Sequence, residues 1–267
     1  MTSPTRHSGS WLTTRGALRV PQITVAFWVV KGLSTAMGEA TSDYLVGVMA
    51  PPVAVLLGFA GFVVALVVQF RTARYRAWSY WSAVVGVGVF GTMAADVLHV
   101  AVGVSYTASS LLYAIMLLAV FAVWRACENT LSIHSVDTPR REAFYWAAVV
   151  ATFAMGTALG DLTAFTLHLG YFTSAALFAA LIAVPAVGYR WLRWNPVLAF
   201  WASYVVTRPL GASLADGLGK PKSTGGLGLG DGPVALVLTL MIAGMVAYLS
   251  ATRSDVQREP AREPVGA

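Results

Sequence analysis

Long apolar runs alternate with short polar connections along the whole chain. Eight such runs lie at 23–47, 53–70, 78–101, 106–124, 143–167, 171–189, 196–216 and 233–250, each near the ~20 residues a helix needs to cross a bilayer core. The longer ones fit tilted helices, or helices that continue past the lipid. The pattern predicts an all-α integral membrane protein: eight transmembrane helices arranged as four parallel tandem helical-hairpin repeats. Its expected divisions are a cytoplasmic N-terminal tail at 1–20, an eight-helix membrane domain at 21–250, and a disordered, Pro-containing cytoplasmic tail at 251–267.

The odd-numbered runs share one motif: an aromatic residue, Trp, nine residues, Gly, four residues, Asp. The instances are Phe27-Trp28 with Gly38 and Asp43, Tyr80-Trp81 with Gly91 and Asp96, Tyr145-Trp146 with Gly156 and Asp161, and Phe200-Trp201 with Gly211 and Asp216. Identical spacing four times marks an internal repeat, with units at about 21–72, 77–125, 142–190 and 196–250. Each unit holds two crossings, so the copies share one orientation and are parallel repeats. Asp, fifteen residues after Trp, lies about 22 Å further along the axis, so four carboxyls are expected at similar depth. Gly is the residue expected where neighbouring helices approach closely, and the four Trp read as packing or interfacial anchors.

These motifs, with the string KGLSTAMGEATSD and the loop TLSIHSVDTPRREAFYW, resemble a bacterial membrane-anchored protein family built from four tandem two-helix repeats of unknown function. The resemblance runs from Pro21 to about Ser250. It implies the helical-hairpin architecture and a bacterial inner membrane location, and it implies no activity.

Composition agrees with lipid as the main solvent. Hydrophobic residues make up 57% of the 267 and charged residues only 11%, against about 25% charged in soluble domains. The net charge of +6 resides in short basic clusters between apolar runs, which read as topology signals and not as a nucleic-acid face. Arg6, Arg15, Arg19, Arg71, Arg74, Arg76, Arg125, Arg140, Arg141, Arg190, Arg193, Arg253, Arg258 and Arg262 all fall on one side if both termini are cytoplasmic; the opposite connections hold only Lys220 and Lys222. Cys127 is the sole cysteine, so an internal disulfide is excluded.

Candidate chemistry concentrates in the first run, where Lys31, Thr35, Glu39 and Asp43 recur every four residues on one helical face. Ionisable groups at membrane depth cost ~2.5–3.5 kcal/mol each on insertion scales, so they must face the bundle or a wet cavity. Glu39, Asp43, Asp96, Asp161 and Asp216 are the candidate ion or proton groups, with Lys31 and Arg208 as charge partners. If the four repeat aspartates converge, they offer hard oxygen ligands for Mg²⁺, Mn²⁺ or Ca²⁺, or a proton relay; otherwise each Asp caps or terminates its helix. Arg208 is expected to pair with Glu39 or a repeat Asp, and Pro209 to loosen its helix. His99 and His168 are weighed as partners of the nearby aspartates, and Met37 and Met155 as core residues or soft ligands. The glycine-rich DGLGKPKSTGGLGLGDGP lacks the order of a phosphate-binding loop, because Pro221 follows Lys220. Ser132, His134 and Asp137 have triad-like types but sit in a short connection with no nucleophile elbow.

The expected function is a small secondary transporter or exporter of an inorganic cation, proton-coupled, without a cofactor and without enzymatic activity. The alternative is a membrane scaffold or sensor whose buried polar residues serve helix packing. The lipid bilayer is the expected partner in either reading.

Overall fold

The computed structural model describes residues 17–257. Among them are eight long α-helices and no strand: α1 (Val25–Val48), α2 (Pro51–Arg71), α3 (Ala77–Asp96), α4 (Tyr106–Glu128), α5 (Pro139–Asp161), α6 (Gly170–Trp191), α7 (Pro196–Gly219) and α8 (Asp231–Thr252). Their starts follow from local chemistry. Thr24, Ser105, Thr138 and Asn195 cap the first-turn amides of α1, α4, α5 and α7. Proline occupies the first turn of α2, α5 and α7, where its missing N–H costs nothing. α3 and α5 each pass, directly after the repeat Asp, into a π-helical turn (Val97–Ala101 and Leu162–Thr166). α7 runs through Pro209 without interruption.

The odd-numbered helices form a closed inner ring in which α1 packs on α3, α3 on α5, α5 on α7 and α7 back on α1. The even helices lie outside it. Each packs chiefly on the odd helix that comes after it: α2 on α3, α4 on α5, α6 on α7, and α8 on α1. The sequence repeat joins an odd helix to the next even one, so the packing unit is offset from the repeat unit by one helix. α8 closing on α1 turns a linear tandem array into a circle.

Six helices are long and apolar enough to cross a membrane, while α1 and α7 fall short of that measure. These two carry Lys31, Glu39, Asp43, Arg208 and Asp216, whose charge lowers their hydropathy although they belong to the inner ring. The outer helices expose Leu56, Leu57, Leu111, Leu118, Leu236 and Leu240. Exposed apolar side chains on helices of this length suit contact with a lipid bilayer.

One end of the bundle is closed by interlocking segments. Backbone hydrogen bonds join Arg19 to Val136, Tyr75 to Leu18 and Gln22 to Asp255. Beneath them Glu142, fully buried, accepts from Arg19 Nη1 at 2.6 Å and from Gln69 Nε2 at 2.8 Å. The disorder expected from residue 251 does not hold as far as 257. α8 continues to Thr252, and Asp255 is buried and accepts from the Tyr75 hydroxyl. Burial pushes the Asp255 carboxyl up from its ordinary value, with the Tyr75 hydrogen bond working the other way. Arg6, Arg15, Arg258 and Arg262 lie outside the described residues.

Candidate functional site

Counting back from each repeat Asp in steps of four generates one inward face on every odd helix. Sixteen residues back stand Phe27, Tyr80, Tyr145 and Phe200; twelve back, Lys31, Val84, Val149 and Tyr204. Eight back stand Thr35, Gly88, Phe153 and Arg208; four back, Glu39, Thr92, Thr157 and Ala212. The inner ring therefore stacks five layers, from an aromatic end to a carboxylate end. The side chains twelve back are all fully buried, whereas Asp43, Asp96 and Asp161 are half-buried and Asp216 is 7% exposed. The carboxylate end is the open one.

The repeat motif builds this ring by cyclic contacts. The leading aromatic of each copy meets the Trp of the next: Phe27 with Trp81 at 5.7 Å, Tyr80 with Trp146 at 5.5 Å, Tyr145 with Trp201 at 6.1 Å, and Phe200 with Trp28 at 5.8 Å. These rings seal the axis at the aromatic end. The motif glycines permit the close approach above it. A Cβ on Gly38 would stand 2.7 Å from Gly88 backbone carbon, and one on Gly91 would stand 3.0 Å from Phe153 Cβ. On Gly156 and Gly211 it would overlap Arg208 and Thr35. In every case the neighbour is the residue three before the glycine of the next copy.

Arg208 reaches from α7 to the bundle axis. The two N–H groups of its Nη2 are shared among Glu39 Oε2 at 2.7 Å, Thr157 Oγ1 at 2.6 Å, and Thr92 Oγ1. Those three acceptors occupy one layer, the position four before Asp in the first three copies. The fourth member of that layer is Ala212, on the helix that supplies the arginine. Thr92 Oγ1 also lies 3.2 Å from Glu39 Oε2. A guanidinium with no carboxylate partner in this interior would be prohibitive, and Glu39 satisfies that need.

Lys31 is not the counter-charge of Glu39. It sits fully buried, with its ammonium 4.2 Å from the Phe153 ring centre and 4.3 Å from that of Tyr204. Eight residues of helix separate it from Glu39, about 12 Å of axial rise, and Arg208 is the nearer cation to the carboxylate.

Toward the open end, carboxylate oxygens of Glu39, Asp43 and Asp216 lie within 4.8 Å of one another. Asp96 and Asp161 are outside that group, yet close enough to Glu39 and Asp43 for their charges to interact. The four aspartates thus converge in depth without forming one ligand set. The cluster already holds a cation, since Lys220 Nζ lies 2.7 Å from Asp43, 3.5 Å from Asp231 and 4.0 Å from Asp216. Burial opposes the Lys220 charge, but Asp43, Asp216 and Asp231 outweigh it and hold its pKa above the ordinary lysine value.

Lys220 is placed by the glycine-rich connection after α7, whose Leu227, Leu229 and Gly230 amides bond back to Gly217, Leu218 and Gly219 carbonyls. Those bonds satisfy the exposed C-terminal carbonyls of α7. Sequence reading missed Lys220 and Asp231, because nothing local ties that loop to α1. It also missed Thr92 and Thr157, although the four-residue step from Glu39 to Asp43 points to them once carried to the other copies.

The remaining candidates do not join the cluster. His99 stacks on Tyr106 and its Nδ1 lies 2.7 Å from Val104 O, while His168 is exposed in a left-handed conformation. Met37 Sδ accepts from Thr41, and Met155 lies in the core. Ser132 Oγ accepts from His134 N, His134 Nδ1 contacts Gln257, and Asp137 pairs with Arg141, so these three residues form no triad.

Fold and stripe together define a membrane-embedded helical bundle of tandem repeats with a charged interior. The chain belongs to the family described as Repeat of Unknown Function (DUF347), which it matches over residues 79–130, 144–193 and 199–255. Each matched segment opens one residue before the leading aromatic of its copy, in register with the stripe. No curated protein and no solved structure matches the chain.

Proposed function

We propose that the protein is a small secondary carrier for an inorganic divalent cation, coupled to protons, with eight crossings of the bacterial inner membrane and both termini cytoplasmic. The observation that supports this best is the occupied carboxylate cluster, in which an ammonium group sits among Asp43, Asp216 and Asp231 at the open end of the ring. The Glu39, Asp43 and Asp216 oxygens, within 4.8 Å of one another, match roughly twice a Ca–O bond length, and modest closure suits Mn²⁺ or Mg²⁺. The axial Arg208 guanidinium blocks free passage of a cation. That favours a carrier, which must rearrange at each cycle, over a continuously open pore. The basic connections Arg71, Arg74, Arg76, Arg190 and Arg193 support a cytoplasmic aromatic end.

Mn²⁺ uptake into proteoliposomes tests the reading. Asp43→Asn combined with Asp216→Asn is expected to abolish uptake while the protein remains folded by circular dichroism. Uptake at the unmodified rate in that variant would take the cluster out of the transport path, and a wild type that carries no Mn²⁺ would support the scaffold reading, in which buried polar groups serve packing alone.

A further inference from the structure

Below the carboxylate cluster the inner ring holds two basic side chains against one carboxylate, a surplus of one positive charge when both are protonated. The three layers at twelve, eight and four residues before Asp contain Lys31, Arg208 and Glu39 as their basic and acidic side chains, beside the Tyr204 phenol. Lys31 and Arg208 have no exposed surface and Glu39 has 4%. One carboxylate faces two cations; of the two only Arg208 reaches it, through Nη2, and Thr92 Oγ1 lies 3.2 Å from the same oxygen. Lys31 Nζ, Arg208 Nε and Arg208 Nη1 are buried with no hydrogen-bond partner among the described residues. These nitrogens carry six N–H donors, three on the ammonium and three on the guanidinium. The two heads share one neighbour, since Lys31 Nζ stands 4.2 Å and Arg208 Cζ 5.3 Å from the Phe153 ring centre. Tyr204, one turn before Arg208 on α7, holds the ammonium from another side.

Water can satisfy orphaned donors and loss of the Lys31 proton can remove the surplus, but an ammonium kept charged between two aromatic rings needs a negative charge beside it. An uncompensated cation inside a low-dielectric bundle is among the most costly arrangements a protein can hold. Aromatic faces offset part of that cost through their quadrupoles and offer no hydrogen-bond acceptor in the ring plane. A small species with negative charge and acceptor capacity in all directions completes the site.

We propose that Lys31 and Arg208 bind a small monovalent inorganic anion of the halide or nitrate class inside the inner ring, against Phe153. The Arg208–Glu39 pair closes this site from the carboxylate end and the aromatic layer closes it from the other. Exchange therefore requires the bundle to open. The site stands on different residues from the Asp43–Asp216 cluster, and the proposal does not depend on cation transport.

The test is the melting temperature of the full-length protein in detergent, titrated with bromide against gluconate at constant ionic strength. The wild type is expected to rise saturably by about 5 °C. Lys31→Met, which removes the surplus charge, is expected to melt at or above the anion-free wild-type value and to ignore bromide. A wild type indifferent to bromide, or a Lys31→Met variant responding equally, would overturn the proposal. If Lys31→Met does not fold, anomalous scattering from bromide-soaked wild-type crystals decides. A peak beside Lys31 Nζ supports the site, and its absence at saturating bromide refutes it.

Discussion

Arg208 and Glu39, 169 residues apart in sequence, meet at 2.7 Å on the axis of the inner ring. They tie the last repeat to the first, across the seam where a tandem array must close on itself. Breaking such a pair from one side leaves a buried charge alone. Glu39→Gln is expected to cost about 3–5 kcal/mol. Glu39→Gln combined with Arg208→Met removes both charges and recovers much of that loss. Chemical denaturation of the four members of the cycle in detergent measures it, and additive single effects would show that the two residues act independently.

Close approach in the ring gives a second expectation. Gly38→Ala places a methyl 2.7 Å from the Gly88 backbone carbon, where no flexible side chain is available to yield. Helices α1 and α3 must then separate, and a loss of about 1–3 kcal/mol follows. Gly61→Ala on α2 meets nothing within 4 Å and is expected to be neutral or slightly stabilising, by up to ~1 kcal/mol through helix propensity. Melting temperatures of the two variants, measured side by side, separate steric contact from propensity.

The ends of the stripe were legible in the sequence and its middle was not. Aromatic, Trp, Gly and Asp recur at fixed spacing because every copy must make the same cyclic contact with its neighbour. The layers between them diverge, since a closed ring can take one long side chain across its axis and needs smaller partners opposite. Arg208 fills that role in the fourth copy, where the equivalent positions are Thr35, Gly88 and Phe153. Read singly, Thr92 and Thr157 are ordinary polar residues in apolar helices. The placement of Lys31 and Lys220 depended on tertiary closure: Lys31 shares a helical face with Glu39 but lies two turns below it, and Lys220 reaches Asp43 across 177 residues of chain. The eight helices were legible from apolar runs, six of them long and apolar enough to cross a membrane, whereas the pairing of each even helix with the next odd one has no sequence signature.

Lys220 leads to a prediction about pH. Its folded pKa lies above the unperturbed 10.5 because Asp43, Asp216 and Asp231 outweigh the cost of burial. The folded state thus holds this proton more tightly than the unfolded chain does. The stability it contributes is complete below pH 10.5 and is lost only as pH climbs through the higher folded value. Lys220→Met is expected to lose about 1–2 kcal/mol, discounted for partial exposure. The gap between variant and wild type is expected to stay constant from about pH 7 to 10. A gap that closes within that window would mean that burial outweighs the three carboxylates and holds the folded pKa below the ordinary lysine value.

The closed end rests on Asp255 and Gln257, which reach back to the first residues of the bundle. Asp255 accepts from the Tyr75 hydroxyl and its carbonyl from Gln22 N, while Gln257 Nε2 donates to Val20 and Pro21 carbonyls at 3.2 and 3.0 Å. Truncation after Thr252 removes all four bonds and uncovers Tyr75, now only 7% exposed. At roughly 0.5–1.5 kcal/mol net for each bond, the loss is expected to be about 2–6 kcal/mol. The damage should be local, with amide exchange accelerating in residues 17–24 and 72–76 while the inner ring stays protected. Hydrogen-exchange mass spectrometry of the truncated chain reads this directly. Acceleration spread through α3 and α5 instead would show that the strap supports the whole bundle and does not merely close one end.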